Sequence, residues 1–139
     1  MRKRIAVFFS ASLILTGLVA AQEIKRAPIH ATSPSSGKEM FSEYCAVCHG
    51  TAGKGDGPAA AVLSRRPADL TRLTQKNNGT FPELQIRSSI KGDDVVAAHG
   101  TRDMPAWGEL LRSLRPDDPG VAQIRVFALE RYIESLQAR

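Results

Sequence analysis

The run Cys45-Ala46-Val47-Cys48-His49 limits this chain more than any other feature of its 139 residues. Two cysteines three apart on a turn of helix present both thiols to one side. Thiols so placed can form two thioethers along one edge of a porphyrin. The histidine that follows comes beneath the iron, where an imidazole nitrogen serves as an axial ligand. C-x-x-C-H is the attachment pattern of a covalent c-type haem. The chain has two Cys and three His in all, so the pattern uses every thiol present.

Two other chemistries use cysteine pairs. A redox dithiol of the thioredoxin kind places C-x-x-C after a strand in a βαβ pattern, and nothing before Cys45 reads as a strand. A zinc site needs about four ligands, usually from a second Cys or His pair, whereas His30 and His99 are isolated. The surroundings favour haem over both. No internal repeat and no second C-x-x-C-H is present, so one haem is expected.

The N-terminus reads as an export signal over residues 1–21. Arg2-Lys3-Arg4 is the charged start, Ile5 to Leu18 is largely apolar, and Val19-Ala20-Ala21 offers small residues for cleavage. The alternative is an uncleaved anchor, although Ile5 to Ala21 is 17 residues, short for a span of about 20. The expected location is therefore periplasmic, with membrane contact only if this segment stays. The formal charge of +5 includes +3 from residues 1–21, which leaves +2 on residues 22–139. So small an excess gives no argument for a nucleic-acid partner.

Residues 22–35 are polar, contain Pro28 and Pro34, and read as a flexible leader. The folded domain is expected over 36–139. Ser36-Gly37-Lys38-Glu39 has the capping-box pattern, and Phe41, Tyr44, Cys45 and Cys48 then form one apolar stripe. The glycines of 50–57 break regular structure, and a short helix over Ala59 to Leu63 follows. Pro82 and Gly92 bracket a helix that runs to about Lys91, with Leu84, Ile86, Arg87 and Ile90 on its apolar face. Residues 93–114 suggest loop around Met104. Asp118-Pro119 starts the last helix, with Val121, Ile124, Ala128, Tyr132 and Leu136 as its stripe. No alternating strand appears, so the fold class is all-α, with about 4–5 helices around one covalent haem.

From residue 36 to 137 the chain resembles the class I, single-haem c-type cytochromes of bacteria. Gly37 and Phe41 match the G-x-x-x-F/Y contact of that family's first helix, and Tyr132 matches the aromatic residue of the last helix that crosses it. Cys45, Cys48 and His49 match the haem motif and its proximal ligand. The resemblance implies that the Pro58 carbonyl accepts the second ring N–H of His49, and that Leu70, in Pro67-Ala68-Asp69-Leu70, presses on the haem edge. Met104-Pro105-Ala106-Trp107-Gly108 resembles the M-P-x-W segment that carries the distal methionine. It makes Met104 the expected second iron ligand and Trp107 a packing residue against the haem or a propionate. His99, or an open site, remains the alternative on the distal side.

A haem with His and Met on both axial positions has no free site and cycles between ferric and ferrous with little rearrangement. This implies a one-electron carrier rather than an enzyme. Its partners would be redox proteins, such as a dehydrogenase, a respiratory complex or a terminal oxidase, docking briefly. The alternatives are a catalytic or gas-sensing haem protein with an open distal site, or a cytochrome subunit of a larger complex.

Overall fold

The computed structural model describes residues 30–93, 104 and 106–138. Five helices and no strand are found among them, in keeping with the all-α expectation. Helix α1 covers residues 37–49 in three consecutive parts, Gly37–Met40, a wider π-turn Phe41–Cys45, and Ala46–His49. Leu73–Lys76 (α2), Glu83–Lys91 (α3), Trp107–Ser113 (α4) and Pro119–Ser135 (α5) follow. Short 3₁₀ turns at Pro58–Val62 and Leu70–Arg72 punctuate the long connection after α1.

The caps follow the sequence. Ser36 Oγ accepts from the Glu39 N–H at 3.3 Å. The returning Glu39 carboxylate takes the Ser33 N–H at 3.2 Å, three residues before the position a capping box would use. Gly92 ends α3 in the left-handed region, with its N–H on the Ser88 carbonyl at 2.9 Å. Asp118 caps α5 through the Gly120 N–H at 3.0 Å.

Helix α1 crosses α5 at Gly37. A methyl group at Gly37 would collide with the Ala128 carbonyl and lie 2.9 Å from Tyr132 Cβ. Only hydrogen fits between the two backbones there. One turn on, Phe41 packs its ring 5.2 Å from that of Tyr132. Met40, Phe41, Leu111, Val126, Leu129 and Ile133 form the most buried part of the core.

Four expectations need correction. The buried face of α5 is Val126, Leu129 and Ile133; the expected stripe lies to one side of it, with Ile124 half exposed. The crossing with α1 draws Ala128 and Tyr132 towards a second partner, so the helix has two inner faces rather than one. Leu84 is 78% exposed, because α3 turns Ile86 and Ile90 inward instead. Residues 93–114, expected to hold a loop around Met104, also contain α4, whose Trp107 and Leu111 sit at helical spacing against the core with Leu114 at its end. The leader expected to be flexible is, over its described residues, pinned to the domain. Thr32 is buried and hydrogen-bonds across to α1 and α5.

Candidate haem site

An apolar cleft opens between α1, α3, α4 and α5. Its lining is apolar, as a cofactor pocket's commonly is. Cys45, His49, Leu70, Met104 and Trp107 all line it. Three stretches far apart in sequence thus bring five of the expected site residues to one cavity. Ile86, Ile90, Leu111, Leu129 and Ile133 complete the apolar wall.

His49 sits in the last turn of α1 and is 8% exposed. Its Nδ1 lies 3.0 Å from the Ala68 carbonyl. A carbonyl can only accept, so this nitrogen carries the proton and Nε2 keeps its lone pair. Burial pushes the imidazole below its ordinary pKa, and the bond to Ala68 partly offsets that. The ring is therefore neutral, as an iron ligand must be.

The partner of His49 is not Pro58, as the resemblance implied. Pro58 is exposed and begins a 3₁₀ turn after Gly57. The chain returns to the histidine later, at Pro67-Ala68. Gly55 makes that return possible. Its φ of +72° suits glycine, and a methyl group there would strike the Pro67 carbonyl. The segment is then fastened by Leu70 N–H to Gly53 O at 2.7 Å and by the Gln137 amide to Leu70 O at 2.7 Å. Leu70 is buried as a result and faces the cleft.

The two cysteines are not joined to each other. Burial, with Cys48 nearby adding to it, pushes the Cys45 thiol up to about 12. A redox dithiol needs the opposite, a thiol depressed towards neutrality. Cys45 lines the cleft, whereas half-buried Cys48 is not among its lining residues. The π-turn Phe41–Cys45 shifts the helical phase of the residues after it by about one residue.

On the opposite chain segment Met104 is half-buried and borders the cleft. Trp107 opens α4 and stacks on Tyr44, ring centroids 6.0 Å apart and planes 25° apart. A methyl group on Gly108 would lie 2.7 Å from the Lys91 carbonyl, so α4 presses directly on the end of α3. His99, the rival distal ligand, and Pro105 lie outside the described residues.

The family described as cytochrome c oxidase, cbb3-type, subunit III has a model that matches residues 32–113, more than half of the chain. The chain belongs to that family and is a c-type cytochrome. No curated protein and no solved structure matches it. Membership implies a covalent haem c and haem-based electron transfer. The cleft suits that group, with a thiol and a neutral buried histidine at one wall and aliphatic side chains over the rest. The match begins at Thr32, the residue where the leader of the cytochrome joins its core.

Three participants carry no mark in the sequence. Ala68 acts through its backbone carbonyl, which leaves no mark on residue type. Thr32 and Arg125 are polar residues that belong to no motif. Leu111 had a usable signal in its spacing of four from Trp107.

Proposed function

We propose that this cytochrome carries single electrons outside the cytoplasmic membrane, with His49 and Met104 as the two axial ligands of its haem. The supporting observation is that Met104 borders the same apolar cleft as Cys45 and His49. Haem c bound there supplies a one-electron couple between ferric and ferrous iron. His49 offers Nε2 because Ala68 holds the proton on Nδ1. Leu70, Ile86, Ile90, Leu111, Leu129 and Ile133 exclude water from the cleft. A dry surrounding disfavours the more highly charged ferric state, and a thioether ligand favours ferrous iron further. Both effects raise the potential. Export is supported by the charged and apolar run of residues 1–21.

A second reading concerns context. The matched family is described as an oxidase subunit, which favours a place in a terminal oxidase or another respiratory complex over a free carrier. Either way the partners are redox proteins. Native gels of mildly solubilised membranes separate the two, since a subunit migrates with its complex and a carrier alone.

The axial ligands are tested by Met104→Ala in the exported holoprotein. The variant should lose the methionine–iron charge-transfer band of the ferric state, fall in potential and bind carbon monoxide when ferrous. His99→Ala should change none of these. The reverse outcome makes His99 the ligand, and rapid carbon monoxide binding by the parent protein makes the site open, as in a catalytic or sensing haem protein.

A further inference from the structure

Arg125 is 2% exposed, in the second turn of α5, and its Nε has no hydrogen-bond partner among the described residues. Among the described residues no carboxylate pairs with it. A buried cation without a counter-charge is costly, so what its guanidinium does hold is informative. Nη1 donates to Thr32 Oγ1 at 3.0 Å and approaches Met40 Sδ at 3.6 Å. Thr32 Oγ1 lies 3.0 Å from Tyr44 Oη, and Tyr44 Oη lies 2.6 Å from the His30 carbonyl.

The direction of each proton in this series is forced. A carbonyl only accepts, so Tyr44 gives its single O–H to His30. Tyr44 Oη must then accept, and Thr32 gives it the O–H. Thr32 Oγ1 in turn accepts from Arg125, which only donates. The result is a relay with a charged donor at its head, each bond polarising the next. Tyr44, held at its hydroxyl, lines the cleft with its ring and stacks on Trp107. Trp107 stands three residues after Met104 and is held from the other side by the contact of Gly108 with Lys91.

We infer that residues 30–32 form a latch that positions the distal wall of the cleft. Arg125 fixes Thr32, Thr32 and the His30 carbonyl fix Tyr44, and Tyr44 fixes Trp107 and with it the segment that carries Met104. Arg125, Thr32 and Tyr44 are positioning residues and do not bind iron. The ligand-exchange part of the test rests on the Met104 reading; the tryptophan part does not.

The experiment compares full-length, haem-loaded parent, Thr32→Val, Tyr44→Phe and Ser35→Ala proteins. Thr32→Val keeps shape and removes the central hydroxyl. Tyr44→Phe keeps the stacking ring and serves if the first variant folds poorly. Ser35 is exposed on the same segment and outside the relay. Trp107 is the chain's single tryptophan, so its emission, quenched by haem at close range, reports its position. Emission should rise several-fold in Thr32→Val and Tyr44→Phe. Added imidazole should bind their ferric forms about tenfold more tightly than the parent, as the open fraction grows. Ser35→Ala should match the parent. Parental emission and imidazole affinity in both relay variants, even with a lower melting temperature, would overturn the latch. If the parent lacks a methionine–iron band, the axial reading fails, and tryptophan emission alone decides the latch.

Discussion

On the His49 side of the cleft the backbone holds itself. The Gly50 N–H returns to Ala46 O, Gly55 to His49 O and Gly57 to Cys48 O, at 2.8–3.1 Å. Each bond joins residues fewer than ten apart, and the loop closes on the helix it has just left. On the Met104 side the described residues are held by side chains from distant elements. Trp107 leans on Tyr44, Leu111 is 1% exposed among α5 residues, and Gly108 meets the end of α3. The histidine wall is therefore built mainly from backbone bonds within residues 46–57, to which the Ala68 segment is fastened through Leu70 and Gln137, whereas the methionine wall depends on how helices pack. A cytochrome gains from that division if its proximal ligand must never leave and its distal ligand sets the potential.

The largest expected effect removes the difference altogether. Cys45→Ala with Cys48→Ala takes away covalent attachment, and the cofactor supplies much of the core that a domain of this size lacks. Both walls should collapse, with most helical circular dichroism lost and no cooperative melting. A helical double variant that melts cooperatively would mean the protein core stands without haem, and the cleft would then be a preformed pocket.

Gly57→Ala and Gly108→Ala break one wall each. A methyl group at Gly57 would lie 2.5 Å from Val47 O, 2.6 Å from Ala46 O and 2.7 Å from Cys48 C. These are backbone atoms of the C-x-x-C-H turn and cannot yield singly. The cost should reach about 3 kcal/mol, the upper end for overpacking, and the yield of haem-loaded protein should fall. At Gly108 the obstacle is the end of α3, which can slide, so about 1–2 kcal/mol is expected. Gly108→Ala should still weaken the methionine–iron band, which Gly57→Ala should spare in the molecules that do mature. Denaturant midpoints and the band measured side by side check this; equal effects on the band would mean the walls are not independent.

The same division explains what could be read from sequence. The C-x-x-C-H turn, the Ser36 cap, the Gly92 stop and the Asp118-Pro119 start are short-range patterns, and each lies where the residues indicated. Helix α4 was hidden because seven residues carry little periodic signal and its start follows Met104-Pro105. The expected and observed faces of α5 differ because a helix wedged between α1 and the cleft is apolar on more than one side. The resemblance points to Pro58 instead of Ala68 because a carbonyl's partner is decided by where a loop returns, and residue type says nothing of that. The Arg125 relay was invisible for a similar reason. Its members are residues 30, 32, 44 and 125, joined only by the crossing of α1 and α5.

A last variant probes the methionine wall by charge. Glu130 of α5 is 4% exposed and pairs with Arg87 of α3 at 3.3 Å, while Arg87 also lies over the Phe127 ring at 4.9 Å. Burial holds the Glu130 carboxyl above its ordinary value of 4.5, and Arg87 only partly offsets this. A carboxyl with a raised folded pKa contributes stability that is present below its unfolded value and lost as pH rises through the folded value. Glu130→Gln removes that loss. Arg87 keeps Glu83 at 3.5 Å, so its own charge is not stranded. The variant should match or fall slightly below the parent near pH 4 and gain on it as pH rises through and above the carboxylate range. Melting temperatures of the haem-loaded proteins at pH 4 and pH 7 measure this, and the difference, variant minus parent, should be more positive at pH 7. The opposite trend would mean that the ion pair outweighs burial. The wall would then be stitched by charge as well as packed, and the contrast with the histidine side would narrow.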